Sequence, residues 1–332
     1  MEIRKLQLTG KSSYTVSLPK AWVTHLGLKE KSQVALATLP DGSLRLTPYE
    51  HVKPKERGIF NIDNLFEDAL ARNIIAVYIA GYETFELRAQ QIRSDQRKTI
   101  RDMSYRLIGT EIIEETAKSV VIQDFLSPNE LKVKKSIRRM HLIIESMHAD
   151  AINSLLKKDV DLANDVILRD RDVDRHYLLV LKRLQAMVKT PFAEASDITP
   201  NESLEYYLAA VSLERIADHA TMIANCVLTL EGESLPESVY KSVSEASTMS
   251  NDVMQLAMHA LSKADMGSAE EAITLKKRQA PILKHLEGAA LDLEAHVALP
   301  VYCIVKSIDR VADYGINIAE VAIDLAVARS NK

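Results

Sequence analysis

Glu214 and Asp218, and again Asp309 and Asp313, stand four residues apart in two stretches written alike: LERIADHATMIAN at 213–225 and IDRVADYGINIAE at 308–320. An offset of 95 lays Glu214 on Asp309, Arg215 on Arg310, Ala217 on Ala312, Asp218 on Asp313 and Ile223-Ala224 on Ile318-Ala319. Upstream, Tyr207 falls on Tyr302 and Ser212 on Ser307. Both stretches are rich in Ala, Ile and Val or Leu and hold no proline, so both predict helix. A four-residue step stacks two side chains on one helical face. Stacked like charges cost an isolated helix about 0.2–0.5 kcal/mol, and a bound cation is the obvious compensation. Asp170 and Asp174 form a third such pair, between Ile167 and Leu178. Carboxylate oxygens are hard ligands suited to Mg²⁺, Ca²⁺, Mn²⁺ or iron. Beyond Asp313 the same stripe continues polar, through Asn317 and Glu320, whereas Leu204, Val211 and Met222 make the Asp218 stripe a mostly apolar groove. The alternative chemistry is a set of ion pairs with Arg171, Arg215, Lys306 and Arg310.

A second constellation is His141, Glu145 and His148. Glu145-x-x-His148 is the spacing of di-iron carboxylate bundles, but such a site needs the motif twice, and it occurs once. Lys134 and Arg138 continue that face, which reads as a solvated stripe. With no Ser/His/Asp arrangement and no phosphate loop, the chain is expected not to be an enzyme.

These groups need elements to hold them. The 332 residues predict two or three domains. A content of 47% hydrophobic and 27% charged residues is that of a globular protein. No apolar run reaches the 18 residues of a membrane span, and the N-terminus lacks a signal-peptide core. Two cysteines, Cys226 and Cys303, lie in apolar helical runs and predict reduced core residues in a cytoplasmic protein. The net charge of −4 is unevenly spread: residues 1–57 carry ten Lys/Arg against five Asp/Glu, a net of +5, which leaves −9 for the remainder. A basic head on an acidic body suggests a polyanion for the head and cations for the body.

Along the chain, residues 2–9 and 14–18 predict strands around the Gly10–Ser13 turn. Pro19 opens a short helix, PKAWVTHL, that Gly27 ends. Strands at 33–39 and 43–47 flank the Pro40–Ser43 turn. Residues 51–60 read as a charged linker. The periodicity then predicts helix at 61–73, a buried strand IIAVYIA at 74–80, a short strand at 85–89, a helix at 94–108 N-capped by Ser94, and a hairpin of 111–116 with 119–123. From 129 onward six helices fit: 129–157, 160–189, 200–230, 236–263, 267–292 and 298–329. They form two groups of three, broken at Gly232–Pro236. Ala163…Ile167 repeats as Ala269…Ile273 at an offset of 106, and the extra eleven residues of the first group fall in the 184–203 loop. At 106, Asp170 and Asp174 correspond to Lys276 and Ala280, so the second repeat lacks the second-helix acids.

Two resemblances follow from these residues. Arg4-Lys5-Leu6, Gly10-Lys11-Ser12-Ser13, Val16–Trp22 and Leu26-Gly27-Leu28 resemble the swapped-hairpin domain of AbrB, SpoVT and MazE proteins, over essentially all of 1–50. The resemblance implies that two chains interleave into one small barrel. It also implies that Arg4, Lys5, Lys11, Ser12, Ser13, Tyr14 and Lys20 face DNA phosphates, contacts that position a protein more than they read sequence. Two three-helix repeats, each ending in E/D-R-x-x-D, with an N-I-A-E tail in the second, resemble the PhoU family of phosphate-uptake regulators over residues 130–328, about 60% of the chain. The combined layout looks like the archaeal branch of PhoU-related proteins with an AbrB-like head. In that family such acids hold metal clusters. The resemblance therefore implies a divalent or trivalent ion (Fe, Mn, Mg or Zn) on Asp170, Asp174, Glu214 and Asp218, and on Asp309, Asp313, Asn317 and Glu320. The expected architecture is multidomain: a swapped-hairpin β-barrel domain (1–50), a small α+β module (58–126) and all-α tandem three-helix bundles (129–231 and 236–330). The expected function is regulation of phosphate uptake through DNA binding. The alternative is a dimeric adaptor that docks on a phosphate transporter or signalling protein without binding DNA.

Overall fold

The computed structural model describes residues 2–10, 12–38, 42–49, 57–126, 132–189 and 197–330, and the chain divides into two compact units at 56/57. Lys11, Pro40 and Asp41 of the Pro40–Ser43 turn, residues 51–56 of the linker and 190–196 of the 184–203 loop lie outside the described residues.

The first unit holds two antiparallel hairpins around one short helix. β1 (Gln7–Thr9) pairs with β2 (Ser13–Thr15), and β3 (Val34–Thr38) with β4 (Leu44–Pro48). Between them, α1 (Lys20–His25) starts at Pro19 and stops at Gly27, whose φ of +64° favours glycine. Both outer strands are shorter than the sequence predicts, because residues 2–6 and 16–18 find no ladder partner within the unit. Ile3, Leu6, Leu8, Tyr14, Leu36 and Leu44 are more than half exposed, and Pro48 alone among the described residues of this unit is buried. Four short strands by themselves enclose no core.

The second unit begins with a four-stranded mixed sheet in the order β5-β6-β8-β7. β5 (Gly58–Asn61) runs parallel to β6 (Thr84–Arg88); β8 (Ser119–Asp124) lies antiparallel to both β6 and β7 (Thr110–Glu115). The IIAVYIA strand is not formed. Those residues end α2 (Glu67–Ile79), with Leu70, Ile74, Val77 and Tyr78 buried at helical spacing, and the strand is GIFN just upstream. A run apolar at every position has no period of its own, so packing decides. Ser94 is the first residue of α3 (Ser94–Arg106) rather than its cap, and Gln96 Oε1 accepts from the Arg93 N–H at 3.1 Å.

Six long helices follow: α4 (Val133–Lys157), α5 (Val160–Lys189), α6 (Ser203–Thr229), α7 (Glu237–Lys263), α8 (Met266–Leu291) and α9 (Ala295–Ser330). The repeat is visible in its turns. α4 ends on Lys158 and α7 on Ala264, both left-handed at φ 55° and 54°. The next residue in each, Asp159 or Asp265, accepts from an N–H of the following helix. One continuous hydrophobic core runs through both repeats. At the α6–α9 crossing His219 packs on its own counterpart, Tyr314, with ring centroids 5.9 Å apart.

The α+β module is fixed to this body along α5. Leu178 packs into the module's core. Lys182 pairs with the buried carboxylate of Asp124, and its ammonium lies 4.2 Å from the Tyr78 ring centroid. Among the described residues, no helix is long and apolar enough to cross a membrane.

Candidate metal centre

α5 and α6 lie side by side and bring the first two acidic pairs to one place. Asp170 is half-buried, and its carboxyl is pushed up to about 6 by burial first, then by Asp174 and Asp218. Glu214 is likewise pushed up to about 6, by burial, by Asp218, and by Asp174 and Asp170. Asp174 is raised by burial against the opposing pull of Arg106. Asp218 acts on Asp170, Asp174 and Glu214, so the two pairs lie in one electrostatic field. Two guanidiniums partly balance them. Arg215 Nη1 is 3.0 Å from Asp218 and its Nε 3.5 Å from Glu214. Arg106 Nη2 is 2.9 Å from Asp174. Arg106 comes from α3, so the α+β module contributes directly to this site. Sequence reasoning missed it, because nothing local ties a residue of α3 to an acid 68 positions downstream.

The second site has a different occupant. Lys276, on α8 where the first repeat has Asp170, reaches between Asp309 and Asp313. Its ammonium pairs with Asp309, donates to the Asp309 carbonyl at 3.1 Å and lies 3.2 Å from Asp313. Lys306 lies 3.5 Å from Asp309 and 3.0 Å from Glu287, and Arg310 3.4 Å from Asp313. Asn317 and Glu320 are exposed further along α9 and, among the described residues, make no ion pair or side-chain hydrogen bond. Lys276 was legible through the offset of 106 as a missing acid; its role as the cation at this site was not.

Among the described residues, no three His, Cys, Asp or Glu side chains are gathered closely enough to hold a metal ion. In the first site Asp170, Asp174 and Glu214 resist ionising because they are partly buried near other acids, and Arg106 and Arg215 are the cations beside them. In the second site a lysine ammonium already occupies the centre.

The His141/Glu145/His148 group does not form a shared site, nor is it a solvated stripe throughout. His148 is buried, its Nε2 2.9 Å from the Ser247 hydroxyl, and burial holds it down at about 4. Glu145 accepts from Gln255 at 2.6 Å. Cys226 and Cys303 are free thiols facing each other across α6 and α9, and burial raises Cys226 to about 12. In the first unit Lys5, Ser12, Ser13, Tyr14 and Lys20 are exposed, and Arg4 pairs with Glu2.

The family model described as PhoU domain matches residues 137–227, which is α4 through α6 with both acidic pairs of the first site. This stretch is similar to a PhoU domain. The model of the bacterial antitoxin MazE, described as antidote-toxin recognition, matches residues 7–54. A curated relative from Caulobacter vibrioides, named a phosphate-specific transport system accessory protein PhoU homolog, is 31% identical over 102 residues, 30% of this chain. The match spans only 42% of that relative's length. A protein of the same name from Pseudomonas aeruginosa is 26% identical over 211 residues, covering 58% of this chain and 81% of its own. Among solved structures, PhoU from Pseudomonas aeruginosa superposes with a TM-score of 0.53 at 24% identity, over 59% of this chain and 96% of its own. The phosphate transport system regulatory protein PhoU from Streptococcus pneumoniae gives 0.53 at 17%, over 59% and 94%. Both carry the PhoU fold, and neither family description names a catalytic activity.

Proposed function

We propose that this chain regulates phosphate transport as a transcription factor, with the PhoU domain as its sensing body and the N-terminal unit as its DNA-binding output. The observation that carries this reading is the presence of both parts in one chain: a MazE-type unit with a basic first hairpin, joined to a PhoU-type body whose relatives are named for phosphate transport. The exposed apolar residues of the first unit supply what a second copy would cover, so the DNA-binding form is a dimer, with Arg4, Lys5, Lys11, Ser12, Ser13, Tyr14 and Lys20 toward phosphates. Metal binding belongs to the same reading. A divalent ion on Asp170, Asp174, Glu214 and Asp218 converts their repulsion into coordination, and it competes with Arg106 for Asp174. That competition would couple ion binding to the α+β module.

The test is a gel shift on DNA from the chain's own upstream region, run at several salt concentrations beside light scattering. The expected result is a particle of at least twice 37.1 kDa, whose affinity falls steeply with salt. Replacing Arg4, Lys5 and Lys11 together by Gln should abolish the shift, since each lost phosphate contact lowers the salt slope by about one. A salt-insensitive complex, or a triple variant that binds as well as the wild type, overturns DNA binding through this hairpin and favours an adaptor that acts on a protein partner.

A further inference from the structure

A cleft of about 520 Å³ that shares no residue with the candidate metal centre opens between α4, the C-terminal end of α7 and Tyr206 of α6. Its charge is the reverse of the body around it. Lys134, Arg138 and His141 project from successive turns of α4, and His259 and Lys263 from successive turns of α7. Among the described residues no carboxylate lines it, and Lys134, Arg138 and Lys263 enter no ion pair. Glu145, next along the α4 stripe, is held by Gln255 at the rim. The Lys134 ammonium lies 5.9 Å from the centroid of the Tyr206 ring. The His141 Nε2 atom is buried and has no hydrogen-bond partner among the described residues. The floor is apolar, made by Ile137, Met258 and Leu261.

Gathering like charges is unfavourable, and here it recurs from two helices that converge on one concavity; the carboxylates nearby, Glu145 and Asp197, are engaged by Gln255 and by the first N–H groups of α4. Three permanent cations exceed what a single carboxylate would balance and suit a dianion, for which the planar fork of Arg138 offers two parallel donors. The apolar floor gives bare phosphate nothing to pack on. The volume lies within the ~300–1,000 Å³ range of small-molecule sites. We infer that this cleft binds an organic phosphate of about nucleotide size, its phosphate held by Lys134, Arg138 and Lys263 and its apolar body laid over Ile137, Met258 and Leu261. The site is separate from the carboxylate cluster and does not depend on the DNA-binding reading.

The experiment is calorimetric titration of the full chain with AMP as probe, with adenosine and inorganic phosphate in parallel. The expected result is AMP binding with a dissociation constant below about 1 mM, with adenosine and inorganic phosphate at least ~10-fold weaker because each supplies only half of the recognition. Arg138→Gln and Lys263→Gln, both at exposed positions, should each weaken AMP ~10-fold while circular dichroism stays unchanged. Asp218→Asn should bind AMP as the wild type does. The inference is overturned if AMP gives no heat at several times that concentration, if the two Gln variants bind it undiminished, or if inorganic phosphate binds as tightly as AMP. Loss of AMP binding in Asp218→Asn would place the probe at the carboxylate cluster instead, which also overturns it.

Discussion

The two three-helix repeats hold a matching acidic pair on their third helices, α6 and α9, and surround it differently. In the second, Asp309 and Asp313 close on Lys276, an ammonium delivered by α8 at the position of Asp170. In the first, α5 delivers two more acids; Arg215 pairs with Asp218 as Arg310 does with Asp313, and the added cation is Arg106 from the α+β module. One site is centred on a lysine of the facing helix; the other gathers four carboxylates against two arginines at its edge. Two positions of the second helix, Asp170 against Lys276 and Asp174 against Ala280, separate a lysine-centred ion-pair cluster from a carboxylate-rich one. The lesson concerns repeats in general: duplication copies the scaffold, while the residues on the facing helix decide what meets the copied acids.

Adding a divalent ion tests the contrast most directly. Saturation at about 100 times the dissociation constant stabilises a single-site protein by ~2.7 kcal/mol, which for a body of this size raises Tm by roughly 5–10 °C. Asp218→Asn, which keeps the shape and removes the charge, should lose most of that rise in a scanning-calorimetry series, and Asp313→Asn should keep it. Equal loss in both would mean that the two sites do not differ.

Exchanging the first of these facing residues should carry part of the property with it. Lys276→Asp leaves Asp309 and Asp313 facing a third acid. At these half-exposed positions the loss is expected to be ~1–2 kcal/mol, or about 2–6 °C in Tm, with part regained when the metal is added. A variant that melts like the wild type would show that Lys276 contributes nothing to the second site.

The smallest effect is the pH dependence of the first site. Asp170 and Glu214 have folded values near 6, above the ordinary 3.8 and 4.5. Between those limits the folded chain holds more protons than the unfolded one, so their contribution is fully present below about pH 4 and is lost as pH rises through about 6. Asp170→Asn removes this term. In denaturant titrations without metal, the variant should gain on the wild type as pH rises from 4 to 7. Buried His148, lowered from 6.5 to about 4, gives stability of the opposite slope, but it is common to both proteins and cancels in the difference. A gap that stays constant with pH would mean that Asp170 is not crowded.

Much of this was written in the order of residues. The i, i+4 acids, the Pro19 and Gly27 limits of α1, and the six long helices, several bounded to within a residue or two, follow from local rules. Periodicity, caps and breakers act over a few positions and leave their marks there. The offset of 106 even marked Lys276 as a residue that breaks the symmetry. What the sequence could not state was what each side chain would meet. The run at 74–80 is apolar at every position, and only its place beside the sheet makes it the end of α2. His148 looks like a ligand on a charged stripe until α7 covers it. Arg106 reaches Asp174 only because the module packs along α5, and Lys134, Arg138 and Lys263 share a cleft only because α4 and α7 are neighbours. The sequence by itself determined which groups stand on which face of which helix, since backbone geometry repeats every few residues. Tertiary structure alone decided which faces meet, because that depends on burial summed over the whole core. Whether an acid ends beside a lysine, an arginine or another acid is settled there.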